Sequence, residues 1–173
     1  TGEYGDMFDM GVLEEALEQF LAGRPDTPFL ALDLACVQSK YLALQGEFPH
    51  AAIHYAMKAN PAPEIIQLLA ALGSCFDIAS RYELDLCLSL GVPVSRLSYG
   101  NTVKKAADIA YAFGCGVRLF AFDSEPELEK LGRHAPGAGV QCRLLSQGKS
   151  ADWPLSRKFG CDLVMAYELL LKS

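Results

Sequence analysis

Lys58 is the residue whose type and setting most directly suggest covalent chemistry. It ends a short apolar, strand-like stretch within Ile53-His54-Tyr55-Ala56-Met57-Lys58-Ala59-Asn60-Pro61. Asn60 suits a helix N-cap and Pro61 a first helical turn, so a helix is expected to open there. A lysine at the C-terminal end of a buried parallel strand lies where a barrel builds its active site. Partial desolvation there would lower its pKa, and the neutral amine would then attack a carbonyl carbon to form a Schiff base. The plain alternative is a solvated loop lysine. Further polar groups recur at the ends of the apolar runs that follow: Asp77 with Ser80, Tyr99-Gly100-Asn101, Asp123-Ser124 and Arg143.

The elements that must hold these groups are readable from periodicity. Val12 to Leu21 has helical spacing and is stopped by Gly23 and Pro25. Pro28 to Leu32 reads as a strand, Asp33 as a cap, and Leu34 to Phe48 as an amphipathic helix. Strand-like runs then begin near Ile53, Cys75, Leu97, Arg118 and Val140, a period of about 22 residues of the kind that marks repeated units. Helical patterns follow at Ile65–Leu72, Tyr82–Leu90, Ala106–Phe113 and Glu127–Leu131, with Gly73, Gly91 and Gly114 where C-terminal caps belong.

One strand and one helix per unit predicts α/β architecture with a parallel sheet. A doubly wound sheet would carry a Gly-rich turn after its first strand, and none is present. The polar strand ends favour a (β/α)8 barrel of the TIM type, although about three of its units are missing from the count. The expected division is a helix and linker over 1–26 and a partial barrel over 27–173.

Composition narrows the partners. The chain has 173 residues, 51% hydrophobic, and a formal charge of −6 with scattered lysine and arginine. That argues against nucleic acid or anionic membrane as partner. The six cysteines contain no C-x-x-C pair, and with three dispersed histidines they suggest reduced thiols, a cytoplasmic setting and no metal site. No apolar run approaches the length of a membrane span, and no secretory leader is visible.

Five motifs occur in order: Tyr55-Ala56-Met57-Lys58-Ala59-Asn60-Pro61, Phe76-Asp77-Ile78-Ala79-Ser80-x-x-Glu83, Ser98-Tyr99-Gly100-Asn101-Thr102-x-Lys104, Phe122-Asp123-Ser124-Glu125-x-Glu127-Leu128, and Asp152 through Gly160. Together they resemble the N-terminal part of the barrel in pyridoxal phosphate (PLP)-dependent decarboxylases of basic amino acids, the ornithine/lysine group with the alanine-racemase-type fold. The resemblance runs from about Thr27 to near the end of the chain.

The resemblance implies PLP as cofactor, held by Lys58 through a Schiff base, with L-ornithine or L-lysine converted to putrescine or cadaverine. It places Asp77 beside that lysine, Glu83 close to the cofactor, and Arg143 at the barrel mouth as a partner for Asp77. Each has a plainer reading as well. Asp77 could cap a strand–helix turn, and Arg143 could form a structural ion pair. Ser80-x-x-Glu83 is a capping box, a pattern repeated at Ser124-x-x-Glu127.

Lys158 falls in a segment that the family uses near its dimer interface. A homodimer is therefore implied. So are a ring-stacking histidine, a Gly-rich phosphate cradle, a glutamate for the pyridine nitrogen and a second β-rich domain, all expected beyond Ser173, so that the fragment alone should be inactive. Diaminopimelate decarboxylase, which shares Tyr-Ala-x-Lys-Ala-Asn, and a non-catalytic regulatory homologue are the alternatives.

Overall fold

A computed structural model describes residues 10–23, 26–145 and 159–173. Two helices lead the chain, α1 (Met10–Ala22) and α2 (Leu34–Glu47). Asp33 starts α2 by accepting from the backbone N–H groups of Ala35 (2.8 Å) and Cys36 (3.3 Å), which have no partner within the helix. The alternating series follows: β1 (His54–Ala56), α3 (Pro63–Ala71), β2 (Cys75–Ile78), α4 (Arg81–Ser89), β3 (Leu97–Tyr99), α5 (Ala106–Gly114), β4 (Leu119–Phe122), α6 (Glu125–His134), β5 (Gly139–Cys142) and α7 (Leu163–Leu171).

All strand pairs are parallel, and the sheet order is β1-β2-β3-β4-β5. A doubly wound sheet reverses its strand order at a switch point. This one never reverses, which is the order of a (β/α)8 barrel wall. Parallel pairing brings the C-terminal ends of all five strands to one side of the sheet. Lys58, Asp77, Gly100, Asp123 and Arg143 therefore share one mouth.

Successive residues of a strand face opposite ways, and the two faces differ in chemistry. Phe76, Ile78, Leu97, Tyr99, Phe120 and Phe122 are buried in a cluster with Ile66 and Leu69 of α3, Leu84 and Cys87 of α4, Ile109 of α5 and Leu131 of α6. Removing each large apolar side chain from water contributes about 1.5–3 kcal/mol. The opposite face carries His54, Ala56, Asp77, Ser98, Leu119 and Gln141, which line a common cavity. Strands covered on both faces would be apolar throughout; these alternate.

Three local expectations are corrected. Pro28 to Leu32 joins no ladder and Leu30 is 85% exposed, because a strand exists only against a partner. Helix α3 opens at Pro63 with Ala62 as its cap, so Asn60 and Pro61 precede it. Gly114 lies inside α5, and the left-handed turn falls on Gly116 (φ +106°), whereas Gly73 (+94°) and Gly91 (+78°) do follow their helices.

Candidate active site at the strand ends

The turn that carries Lys58 is fixed by three hydrogen bonds. The Met57 N–H donates to the Asp77 carbonyl (3.0 Å), continuing the β1–β2 ladder one residue past β1. The Ala59 N–H closes back on the Ala56 carbonyl (3.0 Å). The Tyr55 hydroxyl donates to the Asn60 carbonyl (3.0 Å), and burial raises the pKa of this phenol. Asn60 Oδ1 in turn accepts from the Ala62 N–H (3.1 Å), holding the approach to α3. Met57 is fully buried beneath, its sulfur 3.6 Å from Cys87 Sγ. Between these anchors Lys58 is exposed. The backbone is pinned while the residue is exposed, so the partial desolvation expected of Lys58 from its strand-end position is not found among the described residues.

Asp77 faces Ala56 across the β1–β2 pair. Its Oδ1 accepts from the Ser98 hydroxyl at 2.8 Å, and Ser98 Oγ lies 3.1 Å from His54 Nδ1. The carboxylate occupies the space beside Gly100: a Cβ added there would lie 2.1 Å from Oδ2 and 2.2 Å from Oδ1. Gly100 is therefore required for this placement of Asp77.

Glu83 does what its capping pattern predicts, one residue displaced. The Ser80 hydroxyl accepts from the Glu83 N–H (3.2 Å), and Glu83 Oε2 reaches back to the Ala79 N–H (2.5 Å). The parallel pattern at Ser124 does not close. Ser124 makes no side-chain cap, and Glu127 is buried against Lys104 and Lys130. Arg143 follows β5, exposed, with its guanidinium 5.9 Å from the Phe159 ring centroid. Among the described residues it makes no ion pair with Asp77, whose Oδ1 is engaged by Ser98 instead. Asp123 Oδ2 accepts from the Gly160 N–H at 2.8 Å, tying that segment to the end of β4. Tyr99 does not line the mouth; it is buried on the helix side, stacked on Phe120. Lys158 lies outside the described residues.

Ser98 and His54 acquire no role from the sequence, and Gly100 only a place at a strand end. The available signal was the alternation itself, since polar or small residues stand opposite buried or half-buried aromatics in β1 to β3. No group of three potential metal ligands is assembled among the described residues. Nor does any helix among them have the length and apolarity to cross a membrane.

Comparison with known proteins places this arrangement. The family described as pyridoxal-dependent decarboxylase, pyridoxal binding domain, matches residues 34–173. A lysine/ornithine decarboxylase of Selenomonas ruminantium is 41% identical over 158 residues, covering 91% of this chain and 40% of that protein. The crystal structure of a lysine/ornithine decarboxylase from Vibrio vulnificus complexed with cadaverine aligns with a TM-score of 0.77 and 30% identity, covering 95% of this chain and 41% of that one. Antizyme inhibitor 2 of Xenopus laevis is 33% identical, covering 92% of this chain and 35% of that protein. The chain thus spans well under half the length of the relatives it matches.

Proposed function

Because the chain belongs to the pyridoxal-dependent decarboxylase family through its pyridoxal-binding domain, we propose that the protein decarboxylates a basic amino acid, L-ornithine or L-lysine, to the corresponding diamine. The observation that carries this is Lys58: an exposed amine on a turn pinned at Met57, Ala59 and Asn60, directly after a residue hydrogen-bonded to Asp77. An amine and a carboxylate at adjoining strand ends fit an aldehyde-bearing cofactor, because the amine is the group that condenses with an aldehyde. When bound, pyridoxal phosphate supplies the electron sink for the pair left behind as CO2 departs.

The chain's residues bind, orient and hold charge. Lys58 Nζ attaches the cofactor. Asp77 Oδ2 has no hydrogen-bond partner among the described residues, and it is the acceptor for the Lys58 ammonium once substrate has taken the lysine's place. Glu83 holds the β2–α4 loop beside the site through Ala79 and bounds the cofactor's space. Arg143, exposed at the end of β5, offers a cation to an anionic part of cofactor or substrate. The ornithine/lysine assignment is supported by the Selenomonas and Vibrio relatives, whose names specify those activities. In the intact enzyme a homodimer completes the assembly.

The rival is a binding protein without catalysis, a reading favoured by the Xenopus relative's name. The retained Lys58 amine speaks for the enzyme. The test is CO2 release and diamine formation by the intact protein on L-ornithine, L-lysine and meso-diaminopimelate. Turnover of ornithine or lysine is expected. Turnover of diaminopimelate alone rejects the substrate assignment, and no turnover of any of the three, with cofactor present, supports the binding protein.

A further inference from the structure

The carboxylate of Asp77 is held from one side by β3. Ser98 and Gly100 are two residues apart on that strand segment and so face the same way. Ser98 is 5% exposed, and its Oγ lies 2.8 Å from Asp77 Oδ1 and 3.5 Å from the Phe76 carbonyl. A serine hydroxyl has one proton to donate. The shorter contact, to an ionised acceptor, takes it, since bonds to charged oxygens are the stronger ones. His54 Nδ1, 3.1 Å from the same Oγ, then meets only lone pairs and must itself be the donor. The chain of hydrogen bonds therefore runs in one direction, from His54 Nδ1–H to Ser98 and from Ser98 to Asp77 Oδ1. Gly100 closes the seat, since no residue with a Cβ fits where the carboxylate sits.

We propose that Ser98, oriented by His54 and accommodated by Gly100, is a positioning residue that commits Asp77 Oδ1 to β3 and leaves Oδ2 to face Lys58. This rests on the reading of Lys58 and Asp77 given above. Its consequence is specific: without the Ser98 hydroxyl, the carboxylate loses its only fixed donor among the described residues and rotates, so that the Lys58 ammonium meets an acceptor of undefined direction. The step affected is the one in which Asp77 receives that ammonium, so kcat falls while substrate binding is largely kept.

Two measurements test this on the intact protein. In the apo form labelled with 15N-histidine, the His54 ring is expected to carry its proton on Nδ1; a neutral ring protonated on Nε2 overturns the proposal whether or not any variant folds. In the cofactor-loaded form, Ser98→Ala is expected to lower kcat about tenfold or more, the effect of losing one hydrogen bond to a charged group, with KM changed less than about twofold. Ser98→Thr, which keeps a hydroxyl, should recover kcat to within about threefold. Gly100→Ala should lower kcat in the same direction by displacing the carboxylate. Wild-type kcat in Ser98→Ala overturns the proposal. A Lys58→Ala control separates the two claims: if it still attaches the cofactor covalently, the Lys58 reading fails, while the His54 proton position tests the Asp77 seat independently.

Discussion

Glu127 shows at a single residue what local pattern leaves out. Its position three residues after Ser124 predicts a capping box. The structure instead buries it at 3% exposure, with Oε1 2.9 Å from Lys104 Nζ and Oε2 taken by Lys130. Lys104 is itself 5% exposed and also donates to the carbonyls of Asn101 (2.8 Å) and Ala121 (2.6 Å). Burial pushes the Lys104 pKa down, and Glu127 partly offsets that. The lysine that draws Glu127 inward is 23 residues earlier in the chain, beyond any capping window. A buried pair broken on one side leaves a charge without its partner, which costs about 3–5 kcal/mol. Glu127→Ala should therefore lower the urea midpoint of the intact protein by that equivalent, whereas Lys104→Met combined with Glu127→Leu should cost clearly less. Equal losses would mean that the pair is not what Glu127 contributes. The strand-end position of Lys58, by contrast, was legible from the sequence, because it depends only on where an apolar run ends and a Pro-containing segment begins; its exposure was not, since the same position suggested desolvation.

At the scale of elements, the five strands and the helices between them stand where the apolar rhythm predicts, within a few residues. Boundaries went astray where a side chain from elsewhere decides them. Asn60 has the chemistry of an N-cap, yet its Oδ1 bonds Ala62 two residues on, and the Tyr55 hydroxyl claims its carbonyl. The helix then starts at Pro63. The mouth-facing seat of Asp77 was hidden for a related reason: Ser98 and His54 meet it only through the parallel register, which brings Ala56, Asp77 and Ser98 side by side. The turn bearing Lys58 gives its own prediction. Tyr55→Phe removes one hydrogen bond, a loss of about 1 kcal/mol, and should speed amide exchange across Met57 to Asn60 about fivefold while leaving β3 to β5 unchanged. Uniform acceleration over all five strands would show that Tyr55 supports the whole sheet and not this turn.

At the largest scale the described residues form a run of consecutive β/α units whose sheet has two outer strands, β1 and β5. Beyond β5, among the described residues, the ladder continues as a single bridge between Leu144 and Cys161. Helix α7 is apolar nearly all round; Ala166 and Leu169 are buried, while Leu163, Val164, Tyr167 and Leu171 are 66–74% exposed. A helix of that kind ordinarily lies within a core, and the relatives, of which this chain spans 34–41%, are long enough to supply one. Fold class was readable from the period because a repeated unit writes itself many times. The site was readable only in part, because it is assembled across units. The role proposed for Lys58 makes the mouth of this sheet the seat of one reactive amine. Borohydride reduction of the intact protein loaded with pyridoxal phosphate, followed by peptide mapping, tests that most directly. A pyridoxyl group on Lys58 is expected; a label on another lysine with Lys58 unmodified would contradict the assignment of Lys58.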